Sequence, residues 1–281
     1  MIDLHTHTTA SDGRAAPAEL VARARAAGVT VLAVTDHDTL AGCTAAAGAC
    51  GDAGIEFVTG IEISAVCDEV DVHVLGYFLD AGAPGLGVFL AEQRQKRVDR
   101  VGRMLAKLAE LGMPLDGDAI LRAGLAQPGR SIGRPVLARA LVAAGYVATI
   151  GDAFGLWLSR GRPGFVAREG PVPERVIAEI HAAGGIASIA HPGLLGRDEW
   201  IDRFAAAGLD AIEVFHPEHD SAAVDRYRAI AARLDLALTG GSDYHGDPSH
   251  GALHPGSVSL PRDRFDHLRT RWNRSTASRS R

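Results

Sequence analysis

Cysteine is scarce in this 281-residue sequence: Cys43, Cys50 and Cys67 are odd in number and form no paired framework, which excludes a disulfide scaffold. They read as small buried apolar side chains of a protein kept under reducing conditions. No apolar run is long enough to span a bilayer, and Met1 leads straight into Ile-Asp-Leu-His without a basic leader, so a soluble cytoplasmic protein without a membrane partner is expected. An excess of positive charge is also missing. At a formal net charge of -5, the molecule as a whole is not built to grip long nucleic acid through its phosphates.

What is present is apolar bulk, 47% of the residues, enough for one large domain or one domain carrying an insertion. Short β-type runs at 2–6, 30–35 and 55–59 alternate with Ala-rich helical stretches, a βαβ rhythm that predicts mostly parallel strands. Pro17 suits the first turn of one helix and Gly28 its end. The rhythm resumes after residue 170, with helices over 173–183 and 199–207 and strands over 185–190, 209–215 and 236–239. Residues 86–166 read instead as helices at 90–111, 118–125, 135–144 and 150–158, broken by Gly and Pro. The division expected is a discontinuous α/β barrel, residues 1–85 and 167–268, with 86–166 as an inserted helical cap and 269–281 as a mobile, Arg- and Ser-rich tail.

Polar residues of the metal-ligating type recur at the predicted strand ends, the rim where barrel enzymes place their sites. His5 and His7 flank Thr6, so strand alternation sends both imidazoles to one side, and Asp12 follows in a short loop. His37, Glu62, His73, His191, Asp243 and His245 complete a set of six histidines and three carboxylates, enough for three ions. Any one of these alone reads as a hydrogen-bonded structural residue; polar groups placed repeatedly at strand ends need partners. Asp36 reads as an acid that orients the site and Asp38 as a cap for the following helix. His181, His250, His254 and His267 match no motif and read as solvent-facing or capping side chains.

Through His5-x-His7, Ser11-Asp12-Gly13, Thr35-Asp36-His37, Gly60-x-Glu62, His191-Pro192 and Gly241-Ser242-Asp243-x-His245, the chain resembles the PHP (polymerase and histidinol phosphatase) family. The resemblance implies a distorted (β/α)7 barrel with a trinuclear site. His5, His7, Glu62 and Asp243 would hold one ion, Glu62, His73 and His191 a second, and Asp12, His37 and His245 a third. Mn2+ is the metal expected by analogy with relatives, with Fe or Zn also suited to such donors. Three divalent ions against three carboxylates leave a charge of about +3, which attracts a phosphate dianion. The expected reaction is in-line attack by an ion-activated hydroxide, with His216 or Asp243 handling protons near the leaving oxygen.

The predicted cap carries Arg97 and Arg100 on one helix face, and Ser131 and Arg134 farther on. A solvated helix surface explains the pair equally well on physics alone. The insert resembles that of the PHP subgroup of nucleoside 3′,5′-bisphosphate phosphatases, some of which trim short 5′-phosphorylated RNA. That resemblance implies a small nucleotide or short oligonucleotide as partner, its 3′-phosphate at the ions and its 5′-phosphate at Arg97, Arg100, Ser131 and Arg134. No obligate protein partner is evident. The competing readings are a histidinol-phosphate-type monoester phosphatase, a deacetylase on the same barrel, and a catalytically silent, metal-stabilised scaffold.

Overall fold

The computed structural model describes residues 1–247 and 252–279. Seven strands lie side by side in chain order: β1 (Ile2–Asp3), β2 (Val31–Val34), β3 (Glu56–Cys67), β4 (Val70–Tyr77), β5 (Ile186–Ile189), β6 (Ala211–Phe215) and β7 (Ala237–Gly240). β2, β5 and β7 are buried along their whole length, as parallel strands covered on both faces must be. Beyond β7 the sheet returns to its first strand: Leu4 N–H donates to the Gly240 carbonyl at 3.2 Å, and Thr6 bridges Tyr244. The α/β barrel with seven strands is therefore the architecture observed.

The parallel rhythm breaks at β4, which runs antiparallel to both neighbours. The turn consists of Asp68 and Glu69, both at positive φ, between the paired residues Cys67 and Val70. Two-residue hairpins of this hand usually announce themselves through Asn or Gly. An acidic pair gives no such signal, and the sequence reading accordingly missed the reversal.

Helices α1 (Pro17–Ala26) and α2 (Cys43–Ala53) cover the first half of the barrel. Between β4 and β5 the chain builds α3 (Pro84–Glu110), α4 (Gly117–Gly124), α5 (Arg134–Ala143) and the short α6 (Ile150–Asp152), which passes into a π-helical turn, Ala153–Leu158. Leu86, Phe89 and Leu90 at the start of α3 join the barrel core, whereas Val101, Met104 and Leu108 farther along pack with Leu137, Leu141 and Leu158 in a separate cluster. One long helix thus carries a second apolar core out from the first.

The second half adds α7 (Pro173–Ala182), α8 (Pro192–Leu195), α9 (Glu199–Ala206), α10 (Ser221–Arg233) and α11 (Arg262–Arg279). Neither α10 nor α11 was expected; of the segment read as a mobile tail, 280–281 lie outside the described residues and 269–279 is the second half of α11. Its polar composition hides one anchor. Trp272 stacks on Phe78 at 4.7 Å between ring centroids and donates its indole N–H to the Gly184 carbonyl at 2.9 Å. All three cysteines are buried free thiols, as read. No helix among the described residues is long and apolar enough to cross a membrane.

Trp272→Ala removes a partly buried indole and leaves the Gly184 carbonyl without its donor, so a loss of about 2–4 kcal/mol in unfolding free energy is expected. Chemical denaturation followed by circular dichroism measures it; a change within about 0.5 kcal/mol, the range of ordinary surface substitutions, means α11 is not a stabilising part of the barrel.

Candidate metal centre

His5 and His7 leave β1 on the same side, while Thr6 between them turns away and donates to the Ala33 carbonyl at 2.7 Å. Gly241 explains its own place in the motif: a Cβ there would sit 2.3 Å from the His5 backbone nitrogen, so only glycine lets the chain after β7 pass this close to β1. Ser242 fixes the crossing by donating its hydroxyl to the buried Asp3 carboxylate at 2.7 Å. His37, after β2, bridges to Glu62 on β3. His73 stands near the start of β4, and because β4 is antiparallel that start lies at the same rim as the carboxyl ends of its neighbours. His191 and Asp243, following β5 and β7, hold positive φ values of 26° and 51°. Left-handed backbone at non-glycine residues costs energy and gathers where a site demands it.

All nine residues named from the sequence converge. The Glu62 Oε2 atom is 3.4 Å from His5 Nε2, 3.3 Å from His7 Nε2 and 3.0 Å from His37 Nδ1. Its Oε1 is 2.8 Å from His73 Nδ1 and 3.2 Å from His191 Nε2. The Asp243 Oδ1 atom lies 3.2 Å from Nε2 of both His5 and His7. Asp12 faces His245 at 3.3 Å and His37 at 3.7 Å.

These contacts fit ligands around cations better than hydrogen bonds among themselves. Donors bound at about 2.0–2.2 Å to one ion stand roughly 3 Å apart, the separation seen here. Buried ring nitrogens of His5, His7, His37, His73 and His191 are left without a hydrogen-bond partner, although carboxylates stand beside several of them. Orphaned buried polar atoms are rare, and so many in one place call for a ligand. Three sets can each close on an ion: His5, His7 and Asp243; His37, Glu62 and His73; and His7, Asp12, His37 and His245. A bound divalent ion there supplies Lewis acidity and an activated water.

Neighbouring residues set the orientation of this shell. Asp36 does not touch an imidazole: it accepts from Thr8 N–H at 2.8 Å, Thr8 Oγ1 at 2.6 Å and Ser11 Oγ at 2.6 Å, so it shapes the loop that presents Asp12. Asp38, expected to cap a helix, caps none. It is buried at φ 52°, accepts from Ser64 N–H at 2.8 Å and pairs with Arg97. Burial pushes its carboxyl up, but Arg97 and Arg168 beside it hold it below the usual carboxylate range. His216 accepts Glu218 N–H on Nδ1 at 3.2 Å, which leaves Nε2 as the protonated nitrogen of its neutral form, 3.4 Å from Asp243 Oδ2. His181, read as a solvent-facing or capping side chain, sits half-buried in the last turn of α7 and pairs with Asp210 at 2.7 Å, and His250 lies outside the described residues.

The candidate ligands open into a cavity of about 240 Å³ that is also lined by Arg97, Gly133, Arg134, Pro135, Phe154 and Arg168. Arg97 is committed to Asp38, to Ser64 Oγ at 2.7 Å and to the Ile132 carbonyl at 3.3 Å, with an edge on the cavity. Arg100 and Ser131 do not line it; Arg100 donates to the Val166 carbonyl at 2.9 Å, and the buried Ser131 hydroxyl has no partner among the described residues. Arg168 was missed in the sequence because it follows the insert without a motif. Four guanidiniums, Arg97, Arg100, Arg134 and Arg168, share two carboxylates, Asp38 and Asp71. Burial and the neighbouring Arg97 lower Arg168 to about 10, and burial with Arg168 lowers Arg100 to about 9. Both stay charged at neutral pH, and the crowding favours an anion.

His5→Ala and Asp243→Ala each remove a donor from the first set, so turnover is expected to vanish and bound metal to fall; near-normal activity or metal content in either, measured by element analysis of purified protein, rejects the site.

Comparison with known proteins agrees with this chemistry. The PHP domain family matches residues 3–114. The chain is 38% identical to a 5′-3′ exoribonuclease of Haemophilus influenzae, over 86% of this chain and 89% of that protein. It is 35% identical to a 3′,5′-nucleoside bisphosphate phosphatase of Chromobacterium violaceum, over 91% and 90% of the two chains. A crystal structure described as a putative metal-dependent phosphoesterase from Bifidobacterium adolescentis superimposes with a TM-score of 0.87 at 36% identity, covering 96% of this chain and 95% of that one. With its candidate ligands gathered on one rim of a seven-stranded barrel, this chain belongs to the PHP family and is a metal-dependent phosphoesterase.

Proposed function

We propose that the protein hydrolyses the 3′-phosphate of nucleoside 3′,5′-bisphosphates, and takes short 5′-phosphorylated oligonucleotides by the same grip. The carrying observation is that one cavity is lined by two sets of residues, the candidate ion ligands and the arginines. A monoester fills only the first. The curated relatives named for bisphosphate and RNA chemistry align over most of the chain and support the same substrate class.

On this reading three Mn2+ ions occupy the nine-ligand site. Its +3 balance holds the scissile phosphate, and the bound ions supply the activated water for in-line displacement. His216, as an Nε2–H donor beside Asp243, serves the leaving oxygen, while Asp243 is committed to the ions. Residues 86–166 act as the cap. Arg134 and Arg168, with the open edge of Arg97, take the second phosphate; Arg100 shares Asp71 with them from outside the cavity lining, and Ser131 takes no part. Phe154 and Leu194 offer apolar surface for the base. The arginine wall speaks against the histidinol-phosphate-type reading, since a singly phosphorylated substrate leaves these cations unpaired.

Phosphate release from adenosine 3′,5′-bisphosphate, AMP and histidinol phosphate tests the assignment, with the bisphosphate expected to be preferred. Charge-assisted hydrogen bonds contribute about 1.5–3 kcal/mol, so Arg134→Ala or Arg168→Ala should raise KM for the bisphosphate roughly 10- to 100-fold with kcat little changed. Faster turnover of monoesters, or unchanged KM in both variants, overturns it.

A further inference from the structure

β6 reads Ala-Ile-Glu-Val-Phe, and its carboxylate, Glu213, is completely buried in an otherwise apolar strand. A buried carboxylate must have partners, and the two found here belong to the metal centre. The Oε1 atom lies 2.9 Å from His5 Nδ1, and Oε2 accepts the His191 backbone N–H at 2.7 Å. His5 follows β1 and His191 follows β5, so a single side chain ties together ligands delivered by two distant parts of the barrel. Glu213 belongs to none of the three candidate ligand sets, and each of its oxygens faces one of these contacts.

We propose that Glu213 is a positioning residue that fixes the tautomer of His5 and the backbone of His191 at once. Accepting from Nδ1–H selects, in the neutral His5 ring, the tautomer with a bare Nε2, the atom that stands 3.4 Å from Glu62 and 3.2 Å from Asp243. Holding the His191 amide stabilises a residue kept at φ 26°, a conformation that a histidine does not adopt unaided. The same strand supplies a second brace. His219 donates Nδ1–H to the Val214 carbonyl at 2.9 Å, and its Nε2 accepts Gly193 N–H at 3.1 Å. A Cβ on residue 193 would meet the His219 ring at 2.7 Å, so glycine is required where the His191 turn rests on it. β6 therefore acts as a template for the His191 loop, and Glu213 couples that template to His5.

Glu213→Gln tests this. A glutamine keeps one carbonyl acceptor for His191 but brings an amide donor or a weaker acceptor to His5, freeing the imidazole to protonate Nε2. In calorimetric titration of the metal-free full-length protein with Mn2+, the binding steps completed by His5 and His191 should weaken 10- to 100-fold, the usual effect of losing such a partner, while the step completed by Asp12 and His245 keeps its affinity. ¹⁵N-histidine NMR should show the His5 ring leaving the Nδ1–H form. Glu213→Asp, which retains the charge one carbon short, should fall between the two and serves as the test if the glutamine variant does not fold. Wild-type affinity at every step overturns the proposal, as does an equal loss at all steps accompanied by a lowered Tm, the mark of a merely structural residue.

Discussion

The structure of the site depends on Glu62. This carboxylate is 1% exposed and has five imidazoles about it, three on Oε2 and two on Oε1. Five rings cannot all donate protons to two oxygens at these angles, and several indeed hold a nitrogen that bonds to nothing. Protonating the rings would bury several cations around one anion; leaving them neutral would aim lone pairs at a carboxylate. Divalent ions held by these groups would resolve both conflicts, so the packing at this rim suits bound metal on electrostatic grounds as well as chemical ones.

The rest of the barrel follows from keeping the groups around Glu62 in place. Closure between β7 and β1 relies on Asp3, whose carboxylate accepts from Ser242 N–H, Ser242 Oγ and Gly256 N–H at 2.7–2.9 Å. That junction brings Asp243 to His5 and His7. The reversal at β4 is equally consequential. Were β4 parallel, its start would lie at the opposite end of the barrel and His73 with it; the acidic two-residue turn at Asp68 and Glu69 returns the chain so that His73 pairs with Ser64, two residues beyond Glu62 on β3.

All the candidate ligands but His73 were legible because they sit in short motifs whose spacing has a local meaning: alternation for His5 and His7, a close backbone approach at Gly241, a strand end at His191. Helices with Pro at the first turn, such as those beginning at Pro17 and Pro173, were equally plain. What stayed hidden depends on partners far away in sequence. Asp38 looks like any helix-capping acid until Arg97, 59 residues on, is folded against it. Arg168 has no local signature, and α11 looks polar until Trp272 finds Phe78. Glu213 went unread, although a carboxylate in the middle of an apolar strand announces a buried partner, if not which one.

The arginine wall raises the electrostatic problem of Glu62 with the sign reversed. Four guanidiniums share two carboxylates, and burial already lowers the affinity of Arg168 and Arg100 for their protons. Asp71 takes three of them only at 3.6–3.8 Å, beyond ordinary hydrogen-bond length. Such a wall is poorly compensated when empty and gains most from a ligand that brings charge to it. In the same cavity the ions, once bound, also present net positive charge. A substrate with one anionic group relieves one wall and leaves the other as it was, whereas a substrate with two relieves both. On the proposed reading, selectivity for a doubly phosphorylated nucleotide therefore comes less from shape than from two separated concentrations of positive charge that only a doubly anionic molecule can neutralise together.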